Sequence, residues 1–313
     1  MKKIRSETGR QAIDCSREFK RVRLMDFFAE YIDRLYSDCR YGTTANYVMA
    51  YRKLSRYVGG MKVKMGDITR MWVSDYELWL QNNGLSHNSV SFYLRYLRAV
   101  YNAAVVETGG VGVADPFLGK RLTQIATVKR AISKADLLVI RGKDLSDCPP
   151  KYAFVRDVFL FSFYTRGMSL IDMAYLRKVD IHNGVLTYRR RKTGQLLSMA
   201  VEPQLDELIL RYNNPSPYVL PILAHDDSYR GYRSAQRDMN RYIKSLGEML
   251  GFGFPLTFYV ARHTWATLAR DYGTPMHIIS AGMGHSSEQT TRIYLAQLDH
   301  NVIDRVNRAI IAL

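Results

Sequence analysis

The spacing of apolar residues in the N-terminal third constrains the fold of this chain most. From Phe28 to Leu35, apolar side chains recur at the i, i+3, i+4 and i+7 positions that form one face of a helix. Similar stripes occur at residues 44–58, 69–81 and 90–104, and a glycine or Asn-Gly sequence follows each one. The pattern predicts four amphipathic helices that bury their apolar faces against one another.

We interpret residues 24–107 as a compact helical domain that follows a basic leader at residues 1–23. Residues 108–129 lose the periodicity, because glycines and Pro116 break regular structure there, and they are expected to form a linker. A second domain is predicted over residues 130–313, helical except for one β-hairpin.

The hairpin is predicted from a strand at residues 184–191, a turn at Thr193-Gly194 and a return strand. In the return strand, Leu197, Met199 and Val201 alternate with small or polar residues. The fold class expected is therefore mainly α, with a four-helix N-terminal domain and an α+β domain that holds a small β-hairpin sheet.

The charge of the chain indicates its partner. The 313 residues include 45 Lys and Arg against 29 Asp and Glu, a formal net charge of +16. The basic residues run through the whole sequence and form no isolated tail. This favours a polyanion, nucleic acid above all, over a merely basic protein or one that docks on ribosomes or acidic membranes.

Other classes of protein are disfavoured by what the sequence lacks. Its longest apolar run is too short to span a bilayer, and no apolar segment follows the basic N-terminus as it would in a signal peptide. The three cysteines are scattered and predict neither a disulfide framework nor a zinc ribbon. We expect a cytoplasmic protein that needs no metal, nucleotide or other cofactor.

The polar faces of the N-terminal helices carry basic residues interleaved with tyrosines, whose hydroxyls can hydrogen-bond to phosphate oxygens. We interpret these faces as a clamp on a duplex backbone, although charged residues that only solvate a helix surface give the same pattern. The predicted contacts are Arg52, Lys53, Arg56, Arg95 and Arg98.

Three motifs near the C-terminus carry the chemistry. Arg262-His263-Thr264 is followed by Gly284-His285-Ser286 and then by Tyr294, nine residues after His285. In order and spacing these motifs resemble the hallmark of the tyrosine recombinase, or phage integrase, family. The resemblance runs from about residue 23 to the end, and it implies a SAM-like core-binding domain followed by a catalytic domain.

The resemblance implies that Tyr294 attacks a phosphate of DNA and that Arg262 and His285 bind the same phosphate. Attack places extra negative charge on the non-bridging oxygens, and preorganised hydrogen-bond donors must stabilise this charge. A guanidinium suits this role because it can contact two oxygens and stays charged. His263, beside Arg262, is predicted to contact DNA.

A catalytic lysine is implied at the hairpin turn, where the run Arg189-Arg190-Arg191-Lys192 matches the family's context. Lys192 is expected to protonate the departing 5′-oxygen. Arg189, Arg190 and Arg191 are expected to grip the DNA backbone only.

Two positions depart from the family's pattern. The family's first arginine stands three residues before an acidic residue, which here is Asp172, so Ser169 occupies the arginine position. Arg166 lies three residues earlier, on what we predict to be the same helix face, and we hypothesise that it supplies the missing charge. A weaker hydrogen bond from Ser169 is the alternative. Tyr259 stands where the family often has a histidine, and its phenol can donate a hydrogen bond to phosphate.

The resemblance implies site-specific recombination through a 3′-phosphotyrosyl intermediate and a Holliday junction, as in a two-domain integrase or invertase of a bacterial mobile element. The expected partners are double-stranded DNA with paired recombination sites and further copies of the chain, which would form a homotetramer on the DNA from monomers or weak oligomers. A topoisomerase with the same chemistry and a DNA-binding regulator that has lost catalysis are the alternatives.

Both ends of the chain carry expectations. Ile303, Val306, Ile310 and Leu313 form an apolar stripe, and the resemblance implies that this tail docks into a neighbouring subunit; a helix folded onto its own core is the alternative. The leader of about twenty residues is expected to be too short for the additional arm-binding domain of many integrases.

Overall fold

The computed structural model describes residues 17–110, 112–120, 122–125, 130–223 and 226–285. The chain divides into two compact units, Met1–Ala126 and Thr127–Leu313. Within the ranges described, no helix is long and apolar enough to cross a membrane.

The first unit is built from helices that the sequence predicts. Its helices are α1 (Leu24–Ser37), α2 (Tyr41–Val58), α3 (Arg70–Asn82) and α4 (His87–Glu107), with a 3-10 turn at Met65–Asp67. The hydroxyls of Thr69 and Ser86 cap α3 and α4 by accepting backbone hydrogen bonds, and Gly59 ends α2 in the left-handed conformation, with φ 59°. The four helices predicted from the periodicity are confirmed.

The core of the first unit also holds side chains from outside the predicted helical domain. Phe19, from the predicted leader, and Phe117, from the predicted linker, are each 1% exposed. Both rings pack on Tyr101, with centroid distances of 5.3 and 6.0 Å. The hydroxyl of Tyr101 also donates to the carbonyl of Ala114 at 3.2 Å. Residues 112–120 therefore pack onto the first unit. The burial of the Phe117 side chain holds this segment in place, although glycines and Pro116 prevent regular secondary structure there.

The second unit is helical around one small sheet. Its helices are α5 (Lys134–Gly142), α6 (Pro150–Tyr164), α7 (Leu170–Ala174), α8 (Pro203–Arg211), α9 (Tyr229–Met249), α10 (Phe258–Asp271) and α11 (Met276–Gly282). Its strands are β1 (Ile181–His182), β2 (Val185–Arg189) and β3 (Leu196–Ala200), antiparallel in the order β1-β2-β3. The mainly α fold class and the hairpin are confirmed, whereas the two-residue strand β1 was not predicted.

Helix α6 organises the core of the second unit. It packs against both α9 and α10, and Val158, Phe159 and Phe161 on it are fully buried. A helix that is apolar on nearly every side must be covered on nearly every side. This packing fixes α10, which carries Arg262, relative to the loop that follows α6.

Candidate active site

A cavity of about 830 Å³ in the second unit collects most of the described residues that the sequence assigns to catalysis. It is bordered by the α6–α7 loop, the β2–β3 hairpin, α9 and α10. The predicted residues that line it are Ser169, Arg190, Lys192, Tyr259, Arg262 and His285.

Arg262 is the best-anchored cation of this cavity. Its side chain is 3% exposed; Nη1 donates to the carbonyl of Gly167 at 2.7 Å, and Nη2 donates to the carbonyl of Met283 at 2.7 Å. Desolvation, followed by the nearby charge of Arg190, lowers the pKa of Arg262 from 12.5 to about 10. The guanidinium is still charged at neutral pH, and its backbone partners hold it in place before any ligand arrives.

His285 contacts Arg262 directly. Its Nε2 lies 2.8 Å from Nη2 of Arg262, and it must accept that hydrogen bond because a guanidinium only donates. The ring proton is therefore on Nδ1. Desolvation, and then the charges of Arg262, Arg190 and Lys192, lower the pKa of His285 from 6.5 to about 4. His285 is accordingly neutral at physiological pH, with its one ring proton on Nδ1.

The three arginines of the hairpin have different surroundings. Leu186, Tyr188 and Arg190 are buried in alternation along one face of β2 and its extension, whereas Arg189 and Arg191 are exposed. Nη1 of Arg190 donates to the carbonyl of Gly284 at 2.5 Å. The prediction that all three only grip the DNA backbone misses this difference, although the period of two is visible in the sequence.

Lys192 is exposed at the turn of the hairpin, where the sequence places it, and it lines the cavity. Its neighbour Arg191 instead turns outward, with its guanidinium carbon 3.9 Å from the ring centroid of Tyr175. The amide of Arg191 donates to Oδ1 of Asp172 at 2.9 Å. The hairpin is thus fixed to the α7 region through Arg191, the residue next to Arg190.

Ser169 and Asp172 form a pair at the start of α7. The hydroxyl of Ser169 donates to Oδ2 of Asp172 at 2.6 Å. Ser169 lines the cavity, but its one hydroxyl proton is engaged in this bond. Asp172 is 4% exposed and joins Ser169 to the hairpin.

The expectation that Arg166 shares a helix face with Ser169 is wrong. Helix α6 ends at Tyr164, and Arg166 and Gly167 follow it with φ of 58° and 79°. These two left-handed residues reverse the chain, so a helical spacing of three does not apply between Arg166 and Ser169. Nη1 of Arg166 reaches the carbonyl of Ser198 at 3.4 Å, and Arg166 is not among the residues that border the cavity.

Tyr259 and His263 occupy one side of α10. Tyr259 is 51% exposed and borders the cavity. Desolvation raises the pKa of its phenol, and the charges of Arg262 and Arg190 partly offset this rise. His263 packs edge-on against this ring, with a centroid distance of 4.7 Å, and is 5% exposed. Its burial contradicts the expectation that His263 contacts DNA, because adjacent residues on a helix point about 100° apart.

A polar stripe on α9 also borders the cavity and was missed. Gln236, Asn240 and Lys244 line it at a spacing of four residues. That spacing puts them on one helix face, so the signal was present in the sequence as a polar counterpart of the apolar stripes.

The basic residues of the first unit that the sequence predicts to contact DNA fall into two groups, those that are exposed and those that contact another side chain. Arg52, Arg56 and Arg95 are exposed. The ammonium of Lys53 lies 5.2 Å from the ring centroid of Trp79, and Arg98 forms an ion pair with Asp115 at 3.0 Å. Tyr294 and the apolar stripe at residues 303–313 lie outside the described residues.

Comparison with known proteins places the chain in a family. The Phage integrase SAM-like domain matches residues 23–120, and the Phage integrase family matches residues 162–301. The tyrosine recombinase XerA of Pyrococcus furiosus is 23% identical over 236 residues, which cover 74% of this chain and 77% of that relative. The tyrosine recombinase XerD of Chlorobaculum tepidum is 20% identical over 256 residues, 78% of this chain and 80% of the relative.

Solved structures share the fold. A lambda integrase dimer bound to a COC' core site superposes with a TM-score of 0.67 at 17% identity, covering 88% of this chain and 78% of that one. The Tn1549 transposon integrase in complex with transposon right end DNA gives a TM-score of 0.64 at 15% identity, with coverage of 93% and 100%.

These matches, together with the cationic side chains that line the cavity, define an enzyme that acts on DNA. The chain belongs to the tyrosine recombinase, or phage integrase, family, and its activity is site-specific DNA recombination. An inactive DNA-binding regulator and a topoisomerase are not favoured.

Proposed function

We propose that Tyr294 is the nucleophile and that the described cavity holds the scissile phosphate. The observation that best supports this assignment is the burial of Arg262 at the cavity wall, with both terminal nitrogens held by backbone carbonyls and with His285 against it. A buried guanidinium held in this way is preorganised for a charged phosphorus centre.

In the proposed reaction, the Tyr294 oxygen attacks phosphorus and the bond from phosphorus to the 5′-oxygen breaks. The products are a 3′-phosphotyrosyl bond and a free 5′-hydroxyl, whose proton comes from Lys192; the phenol proton of Tyr294 passes to water as the new bond forms. The 5′-hydroxyl of a partner strand then attacks the phosphotyrosine and releases Tyr294. Each step replaces one phosphoester with another, so the reaction needs no external energy source.

The groups around the phosphate have separate roles. Arg262 neutralises the charge that develops on the non-bridging oxygens, and His285, neutral at physiological pH, donates through a ring N–H. Tyr259 is positioned on the cavity rim for a further hydrogen bond. Lys192 sits at the exposed tip of a hairpin, where an amine on a flexible side chain can follow the leaving oxygen.

For the first unit we propose contacts with the DNA backbone through Arg52, Arg56 and Arg95, which are exposed. Lys53 is half-buried over Trp79, and the charge of Arg98 is partly met by Asp115, so both would contribute less. Contacts of this kind set position on the duplex and do not read its sequence.

For the assembly we propose a homotetramer on two paired sites, formed as monomers gather on DNA, with the C-terminal stripe exchanged between subunits. A lambda integrase tetramer bound to a Holliday junction, with a TM-score of 0.65 and 17% identity to this chain, supports that arrangement by likeness of fold. The proposed substrate is DNA of the chromosome or of a mobile element. We therefore propose that the protein associates with the nucleoid of a bacterial cell.

The nucleophile can be tested with a nicked duplex that carries the chain's recombination site, found by sequencing DNA that the wild-type protein traps covalently in cells. Loss of a short fragment from the nick prevents rejoining, so covalent adduct accumulates. Tyr294→Phe is expected to form none, because it lacks the attacking oxygen. Tyr272→Phe is the matched control: Tyr272 is 73% exposed at the end of α10, and this variant should form adduct like the wild type. Adduct formed by Tyr294→Phe would exclude the assignment.

A further inference from the structure

We propose that Arg190 supplies the second guanidinium for the scissile phosphate, in the role that the sequence alone suggested for Arg166 or Ser169. The inference rests on the proposed function, because it concerns the same phosphate site. Arg190 is 8% exposed, and its side chain borders the cavity that Arg262 and His285 also border.

The charges around the cavity support this role for Arg190. Arg190 and Arg262 are two buried cations on one cavity, and within the part of the chain that the structure describes neither forms an ion pair with a carboxylate. Their hydrogen bonds go to the carbonyls of Gly284, Gly167 and Met283 and to Nε2 of neutral His285, none of which carries a net charge. The carboxylate of Asp172 acts on Arg262 only from a distance, as the smallest of the influences on its pKa. Buried like charges that no ion pair neutralises are costly, so this arrangement favours an anion held between them.

Arg166 and Ser169, the two groups that the sequence suggested for this role, are placed differently from Arg190. Arg166 lies on the far side of a left-handed turn, with its guanidinium directed to the carbonyl of Ser198, and it does not border the cavity. Ser169 borders the cavity, but its proton is donated to Asp172. Neither places a cationic donor where Arg190 does.

The contacts of the hairpin hold the side chain of Arg190 toward the cavity. Asp172 accepts the amide of Arg191, and the guanidinium of Arg191 stacks on Tyr175 on the outer side. The amide of Arg190 donates to the carbonyl of Gln195 at 2.8 Å, so Arg190 continues the pairing of the hairpin and follows Leu186 and Tyr188 on its buried face, while the bond to Asp172 anchors the turn that begins at Arg191. We therefore assign Asp172 as a positioning residue that acts through the hairpin.

A charge test separates a phosphate contact from a structural role. Cleavage rates would be measured on the nicked duplex and on the same duplex with a methylphosphonate at the scissile position. The methyl group replaces one non-bridging oxygen and removes its negative charge, so a cation that meets this charge becomes dispensable. Two full-length variants are compared with the wild type: Arg190→Ala, and Arg190→Gln, whose amide can still donate to the carbonyl of Gly284.

On the phosphodiester, both variants are expected to cleave about 10²–10³-fold more slowly than the wild type, the usual loss for one oxyanion donor. On the methylphosphonate, most of that deficit should disappear. Arg166→Ala should cleave the phosphodiester at least roughly ten-fold faster than Arg190→Ala, since Arg166 lies outside the cavity.

Three results would overturn the proposal. The first is cleavage of the phosphodiester by both Arg190 variants within a few-fold of wild type. The second is an equal deficit on both substrates, which would mean that Arg190 only supports the structure. The third is slow cleavage of the phosphodiester by Arg166→Ala, restored on the methylphosphonate, while the Arg190 variants show no such pattern. Failure of the proposed function looks different, because then the wild type itself forms no adduct through Tyr294.

Discussion

At the scale of single residues, the site depends on a histidine that resists protonation. His285 has its pKa lowered to about 4 by desolvation and by the cations around it, whereas an unfolded chain gives a histidine its ordinary value near 6.5. Between these values the unfolded state binds the proton and the folded state does not. His285 therefore contributes stability above pH 6.5 that is lost as the pH falls toward 4.

The prediction is that His285→Gln makes the free energy of unfolding depend less on pH than it does in the wild type. One titrating group contributes at most about 1.4 kcal/mol per pH unit, and partial solvation reduces this figure. Urea unfolding at pH 7 and pH 5 measures the difference. If the wild type and the variant lose the same stability between these two values, His285 is not held neutral by the fold.

At the scale of elements, the α6–α7 loop and α10 meet too closely for a side chain. A Cβ at Gly167 would lie 2.6 Å from Cγ of Arg262, and Gly167 has φ of 79°. Both the contact and the backbone conformation require glycine there. The loop thus joins the end of α6 to Arg262 through the Gly167 carbonyl.

Gly167→Ala is accordingly expected to destabilise the protein by about 2–4 kcal/mol, the sum of left-handed strain and overpacking, and to slow cleavage by displacing Arg262. Gly251→Ala is the matched control, because Gly251 has φ of 77° and a Cβ there would have no atom within 4 Å. It should lose about 1 kcal/mol from strain alone and keep its cleavage rate. Equal losses in the two variants, measured by urea unfolding, would show that the contact with Arg262 is not tight.

The elements also show what a sequence can and cannot predict here. Helices α1 to α4 and the hairpin follow from periods of 3.6 and 2, which are local properties of the chain. The burial of Arg190 follows the same period of two, through Leu186 and Tyr188. From sequence alone, however, a charged side chain is expected at the surface, because its buried partners are not visible there. The turn at Arg166 could not be predicted, because a non-glycine residue with φ of 58° is fixed by tertiary contacts rather than by its own preference.

At the scale of the whole molecule, the net charge of +16 governs how the chain meets DNA. Each phosphate contact contributes about 0.9 to the slope of log affinity against log salt concentration. Exposed Arg95 should contribute such a contact in full, whereas Arg98 is already paired with Asp115.

We therefore expect Arg95→Ala to reduce the salt slope of duplex binding by about 0.9, and Arg98→Ala to reduce it by clearly less. Binding isotherms at several salt concentrations, on one duplex, give both slopes. A larger reduction in Arg98→Ala than in Arg95→Ala would reverse the assignment of these two side chains.

The covalent bond between Tyr294 and DNA is the step on which the proposed chemistry depends, and peptide mapping of the adduct tests it most directly. Wild-type protein trapped on the nicked duplex would be digested with nuclease and protease, and the peptide that carries a nucleotide remnant would be sequenced by mass spectrometry. We expect the remnant on the phenolic oxygen of Tyr294. A remnant on any other residue, or a trapped complex that dissociates on denaturation without a covalent bond, would contradict this assignment.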